Sequence, residues 1–170
     1  MLKPLPEEVP EYYKAYINIV PEGDIKELIK DESRYLKDFL ESISLERVDK
    51  TYAFGKWTVK EVIGHLLDSE RITMCRILRI SRGDKQSLPG YDQDEYITKS
   101  RYFSRNWNDI VDEKIMLRGA NLKLIESIDE TQMLLSGYVN DFEMTVNMLL
   151  YVFLGHELHH LKFLKENYEI

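Results

Sequence analysis

The sequence predicts an all-α fold, a four-helix bundle, and three observations carry that prediction. Four long segments place apolar residues at helical spacing, strand signals are few, and no internal repeat is present. One connection, between the second and third of these helices, is conspicuously long.

Residues 1–23 hold four of the five prolines, Pro4, Pro6, Pro10 and Pro21. They read as an extended lead-in around a short helix from Glu11 to Val20, ended by Pro21 and Gly23. Tyr12, Tyr13 and Tyr16 are expected to pack this segment against the main body. Asp24 is a plausible N-cap for the first long helix, roughly 25–44, whose Ile25, Leu28, Ile29, Leu36, Phe39, Leu40 and Ile43 form an apolar stripe. An aromatic connection, 52–57, follows. Thr58 and Glu61 then make a capping box for the second long helix, which runs to about Arg82 and stops at Gly83-Asp84.

Residues 84–103 read as a long irregular connection, and loops of that length in compact domains are often functional. The third long helix is expected from near Ser104 to near Ile128, with Trp107, Ile110, Ile115, Leu117, Leu122, Leu124 and Ile125 as core candidates. A polar stretch at 135–141 suits a turn or hairpin. The fourth long helix takes Thr145 to about Lys165.

Composition narrows the function classes. One domain over residues 1–170 is expected, long enough to bury a substantial core. A net charge of −7 argues against nucleic-acid binding, which rests on Lys and Arg neutralising phosphates. No segment approaches 18 uninterrupted apolar residues, so no membrane span is expected. The first eight residues lack the apolar run of a signal peptide. The single cysteine, Cys75, reads as a buried helix-face thiol and gives no sign of an oxidising compartment. A cytoplasmic protein with a small-molecule substrate is the expectation. An unpartnered apolar helix face would make it a homodimer, but periodicity does not separate such a face from the core.

All four histidines fall in two short segments, His65 in one and His156, His159 and His160 in the other. Neutral imidazole is the side chain transition metals use most. On one helix, His156 and His160 lie about 40° apart and one turn separated, so both can bind one ion. His159 lies about 60° to the other side of His156 and stays open on geometry, although the i,i+4 pair is closer in angle. His65 sits among Val62, Ile63, Leu66 and Leu67, where a polar ring needs a metal or a hydrogen-bond partner. His156 to His160 also spells the zinc-protease pattern H-E-x-x-H. Only ten residues follow His160, none is a histidine, and Glu166 and Glu169 lie too near the terminus to return as the third ligand of that class, so the literal match is expected to mislead.

Taken in order, these segments resemble the DinB/YfiT-like superfamily of metal-dependent enzymes, and most of all its YfiT-type hydrolase branch. The resemblance rests on Pro10-Glu11-Tyr12-Tyr13, the stretch 19–24, and Gly55-Lys56-Trp57-Thr58 running through to Gly64-His65. It continues through 67–71, 79–84 and Leu88-Pro89-Gly90-Tyr91-Asp92-Gln93-Asp94, and ends at Gly155 to His160. It implies an up-down-down-up bundle and one divalent transition metal, zinc or nickel, held by His65, His156 and His160 with water completing the coordination. His159 is then a spare. Residues 137–142 depart from the Gly/His-containing turn of that branch, which leaves the three histidines untouched.

Such a site implies hydrolysis of a small-molecule amide, ester or related bond. Glu157 and Asp68 are the carboxylates nearest in sequence and the candidates for catalytic acid–base work, against the alternative of solvent-facing helix acids. Asp92, Asp94 and Tyr91 border the pocket or merely form turns. A transferase using a low-molecular-weight thiol is the second reading, with Arg71 and Arg76 as its candidate cationic contacts. A non-catalytic metal-binding stress protein is the third.

Overall fold

The structure is a computed structural model and describes residues 2–170. Helix α1 (Glu11–Ile19) follows a short 3₁₀ turn and leads into the four long helices: α2 (Ile25–Ser42), α3 (Val59–Ser81), α5 (Trp107–Ser127) and α7 (Val146–Asn167). Between α3 and α5 lies a short helix, α4 (Gln93–Ser100), and between α5 and α7 lie α6 (Glu130–Met133) and an antiparallel hairpin of β1 (Ser136–Val139) and β2 (Phe142–Thr145). The 84–103 connection is therefore partly helical, not irregular throughout. Asp92, read as a turn residue, caps α4 by accepting from the Glu95 backbone N–H at 2.9 Å.

The start signals operate as their chemistry dictates. Asp24 accepts from the amides of Lys26 and Glu27. Thr58 Oγ1 accepts from the Glu61 amide at 3.2 Å while the Thr58 amide donates to Glu61 at 2.7 Å, closing the capping box.

Two apolar clusters fix the direction of each long helix. One gathers Ile25 and Ile29 of α2, Met74 and Ile77 of α3, Ile125 of α5, and Leu150 and Leu154 of α7. The other gathers Leu36 and Leu40, Ile63 and Leu67, Trp107 and Ile110, and Leu161 and Leu164. Helices α2 and α7 run from the first cluster to the second, whereas α3 and α5 run from the second to the first. The bundle is up-down-down-up. Since α3 and α5 are parallel neighbours, the chain must return the length of α3 between them, and residues 82–106 do this.

A polar layer separates the clusters at mid-height. Lys114 and Arg118 of α5, Glu70 of α3 and Glu157 of α7 are all buried. Lys114 Nζ donates to Glu70 at 2.6 Å, Arg118 Nη2 donates to Glu157 at 2.6 Å, and Asn121 and Ser33 complete the layer. On α5 seven positions are buried: 107, 111, 114, 118, 121 and 125, which alternate spacings of four and three, and 110 beside them; three of these, Lys114, Arg118 and Asn121, are polar. This corrects the expected face of that helix: Ile115, Leu117, Leu122 and Leu124 are only partly buried. Cys75 is exposed, not buried, because it falls on the outer face of α3. Tyr13 is buried, Tyr16 is partly so, and Tyr12 lies mostly in solvent. Among the described residues, no helix is long and apolar enough to cross a membrane.

Candidate metal centre

Where α3 passes α7, three imidazoles converge. His65 Nε2 and His160 Nε2 each lie 3.1 Å from His156 Nε2. One ligand atom from each ring falls within 4.8 Å of the others. The three rings stack edge to face at 4.6–5.0 Å between centroids. Burial drives the pKa of His65 down to about 4 and that of His160 to about 3, and holds His156 well below the ordinary histidine value. Neutral rings offer lone pairs, and His156 Nε2 carries at most one proton, so it cannot donate to both neighbours.

This donor set fits a transition metal. Two nitrogens each about 2.0–2.1 Å from a tetrahedral zinc ion stand roughly 3.3 Å apart, close to the separations here. Three neutral imidazoles meeting on one point otherwise direct their lone pairs at each other.

Two glycines let the surroundings close on the rings. A Cβ on Gly155 would lie 2.1 Å from the Tyr16 carbonyl oxygen, so only glycine lets α1 approach α7 this closely. That contact lays the Tyr16 ring edge-on against His156, 5.3 Å between centroids. A Cβ on Gly64 would lie 2.3 Å from the Tyr102 ring, and Tyr102 in turn donates to Asp68 at 2.8 Å. The Trp57 ring packs against His65, 5.2 Å between centroids.

The cluster stands between two cavities. One, of about 320 Å³, is lined by His65 and His156 together with Tyr16, Ser69, Arg76 and Tyr91. The other, of about 510 Å³, is lined by His160 and His159 with Trp57, Tyr52 and Phe163. His159 is exposed and its nitrogens do not join the cluster.

The other residues singled out in the sequence are dispersed. Glu157, one position after His156, points into the polar layer between Arg118 and Lys114. Burial would raise its pKa, but the two cations outweigh that and keep it ionised. Asp68 borders a separate surface cleft with Arg71 and Tyr102, and burial raises its pKa. Arg71 pairs with Glu113 at the surface. Asp92 and Tyr91 line the first cavity and Asp94 the second. The stripe His65, Ser69, Thr73, Arg76 along α3 was legible as polar residues four, four and three apart, a signal masked by the apolar residues around it.

A family model described as the DinB superfamily matches residues 28–164. Two proteins of Oceanobacillus iheyensis, each carrying the provisional name metal-dependent hydrolase, are similar to this chain. One is 27% identical over 152 residues, 84% of each chain, and the other is 32% identical over 68 residues, 40% of each. The solved structure of YfiT from Bacillus subtilis superposes with a TM-score of 0.72 at 20% identity, covering 96% of this chain and 90% of that one. That protein is described as a probable metal-dependent hydrolase with an unusual four-helix bundle topology.

Proposed function

The chain belongs to the DinB superfamily, and on that footing we propose that it is a metal-dependent hydrolase of a small-molecule amide, ester or related bond, working as one domain with His65, His156 and His160 as the metal ligands. The observation that carries the reading is the meeting of three neutral imidazole nitrogens between two cavities, His65 and His156 lining one and His160 the other. Two similar proteins bear hydrolase names, which supports the same class of reaction. Zinc or nickel suits an all-imidazole donor set.

A divalent metal bound there would lower the pKa of water toward about 7 and polarise a carbonyl. The chain supplies the rest. Burial keeps the three rings neutral at pH 7 and so free of competing protons. His156 Nδ1 faces Ser69 Oγ at 3.5 Å, and a proton shared there would fix which nitrogen of the ring is turned inward. Tyr16 and Trp57 pack their rings against His156 and His65 and form part of the walls of the two cavities. Glu157, tied to Arg118 and Lys114, acts as a positioning residue that anchors α7 beside His156, not as a general base. Asp68 acts through Tyr102 on the far side of Gly64.

The test is hydrolysis of a panel of small esters and amides by untagged protein, metal-stripped and then reloaded with zinc or nickel. Turnover that returns with metal and is lost in His156→Ala is the expected result. Turnover that survives metal removal overturns the proposal, and turnover that requires an added thiol converts it to a transferase.

A further inference from the structure

Arg76 stands three turns along α3 from His65, an offset of about 20° around the helix, and so on the same face. It lines the cavity that His65 and His156 line. Its residue is only 9% exposed, yet among the described residues no carboxylate comes within ion-pairing distance of it. Asp92, the carboxylate on the same cavity, is turned to cap α4. Among the described residues the guanidinium donates one hydrogen bond, from Nη2 to the Pro89 carbonyl at 2.6 Å, out of the five it can make. A buried cation without a counter-ion is costly. Every other buried cationic side chain of the bundle is paired: Lys60 with Asp49, and Lys114 and Arg118 with Glu70 and Glu157.

Two phenols, Tyr13 and Tyr91, share the cavity with Arg76. Tyr13 Oη accepts from Asn140 Nδ2 at 3.0 Å, leaving its own proton to donate. A planar fork beside phenol donors suits a carboxylate or phosphate oxyanion.

We infer that Arg76 is the anion-binding end of the substrate cavity, so that the substrate is an elongated small molecule carrying a carboxylate or phosphate at one end and its reacting bond near the histidines. Ser69 and Thr73, between the two ends on the same face, contact the polar middle of that molecule. The inference rests on the hydrolase reading for the reacting end, but the anion site stands on Arg76 alone.

Titration with glutarate, propyl phosphate and neutral glutaramide, followed by amide chemical shifts, tests it in zinc-loaded and metal-free protein. At least one of the two anions is expected to bind in both forms, with shifts centred on Thr73, Arg76 and Tyr91, and to do so about tenfold or more tightly than glutaramide. Arg76→Gln is expected to weaken that binding by about tenfold or more and Arg76→Lys by less. Equal affinity in Arg76→Gln, equal affinity for glutaramide, or shifts confined to the histidines would overturn the assignment. The wild-type comparison of anion with amide needs no variant and decides the matter if Arg76→Gln does not fold. Metal-dependent turnover that is absent while the anion site behaves as stated counts against the hydrolase reading alone. The converse result counts against the anion site alone.

Discussion

Arg118 Nη2 and Glu157 Oε2 meet at 2.6 Å in the closed interior of the bundle, one residue along α7 from His156. The pair belongs to a layer in which Lys114 and Arg118 balance Glu70 and Glu157, so its charges cancel. Removing one member leaves its partners buried and uncompensated. Arg118→Met is therefore expected to destabilise the protein by about 3–5 kcal/mol, read from urea unfolding. A loss below about 1 kcal/mol would show that the layer is more hydrated than its burial indicates.

Gly155 sets the distance between α1 and α7. Gly155→Ala places a methyl group against the Tyr16 backbone, and α1 must move or the helix must bend. An expected loss of about 1–3 kcal/mol should come with faster amide exchange confined to α1, leaving α3 protected. Uniform exchange across the bundle would contradict a local role.

The metal-free protein should lose stability on acidification. The folded pKa values of His65 and His160, about 4 and about 3, lie below the ordinary value near 6.5. Between these limits the unfolded chain binds more protons than the folded one, so stability rises with pH. The histidine contribution is fully present above about pH 6.5 and is lost as pH falls toward 3–4, with each group supplying at most about 1.4 kcal/mol per pH unit. Unfolding midpoints measured from pH 8 to pH 4 without metal check this. A flat profile would contradict buried neutral rings.

Glu32 works in the opposite sense. Burial and the charge of Glu157 raise its pKa to about 7, and its Oε1 is buried without a hydrogen-bond partner. Folding then favours the protonated form, so its contribution is present below about pH 4.5 and is lost as pH rises through 7. Glu32→Gln should stabilise the protein at pH 8 by about 1–2 kcal/mol and change little at pH 4.5. Equal effects at both pH values would mean that the substitution acts through packing.

Most of this architecture could be read from the sequence because it depends on local chemistry. Asp24, Thr58 and Glu61 mark helix starts by capping, and the apolar stripe of α2 lies where its spacing puts it. The inward face of α5 could not be read in the same way. Lys114, Arg118 and Asn121 occupy its core positions, and they are stable there only because Glu70 and Glu157 arrive from two other helices. The same blindness to tertiary partners hid the setting of Glu157, whose neighbour His156 suggested catalysis while its own side chain turns into the ion-pair layer. The histidine segments were legible as a group, but the cavity on each side of them depends on α1, α4 and the hairpin folding back over α3 and α7.

The central claim is that His65, His156 and His160 hold one metal ion between α3 and α7. Elemental analysis of untagged protein tests it most directly. About one divalent transition metal per chain is expected in the wild type and in His159→Ala, with loss in His65→Ala, His156→Ala and His160→Ala. Full metal content in a folded His65→Ala, or its loss in a folded His159→Ala, would contradict the site.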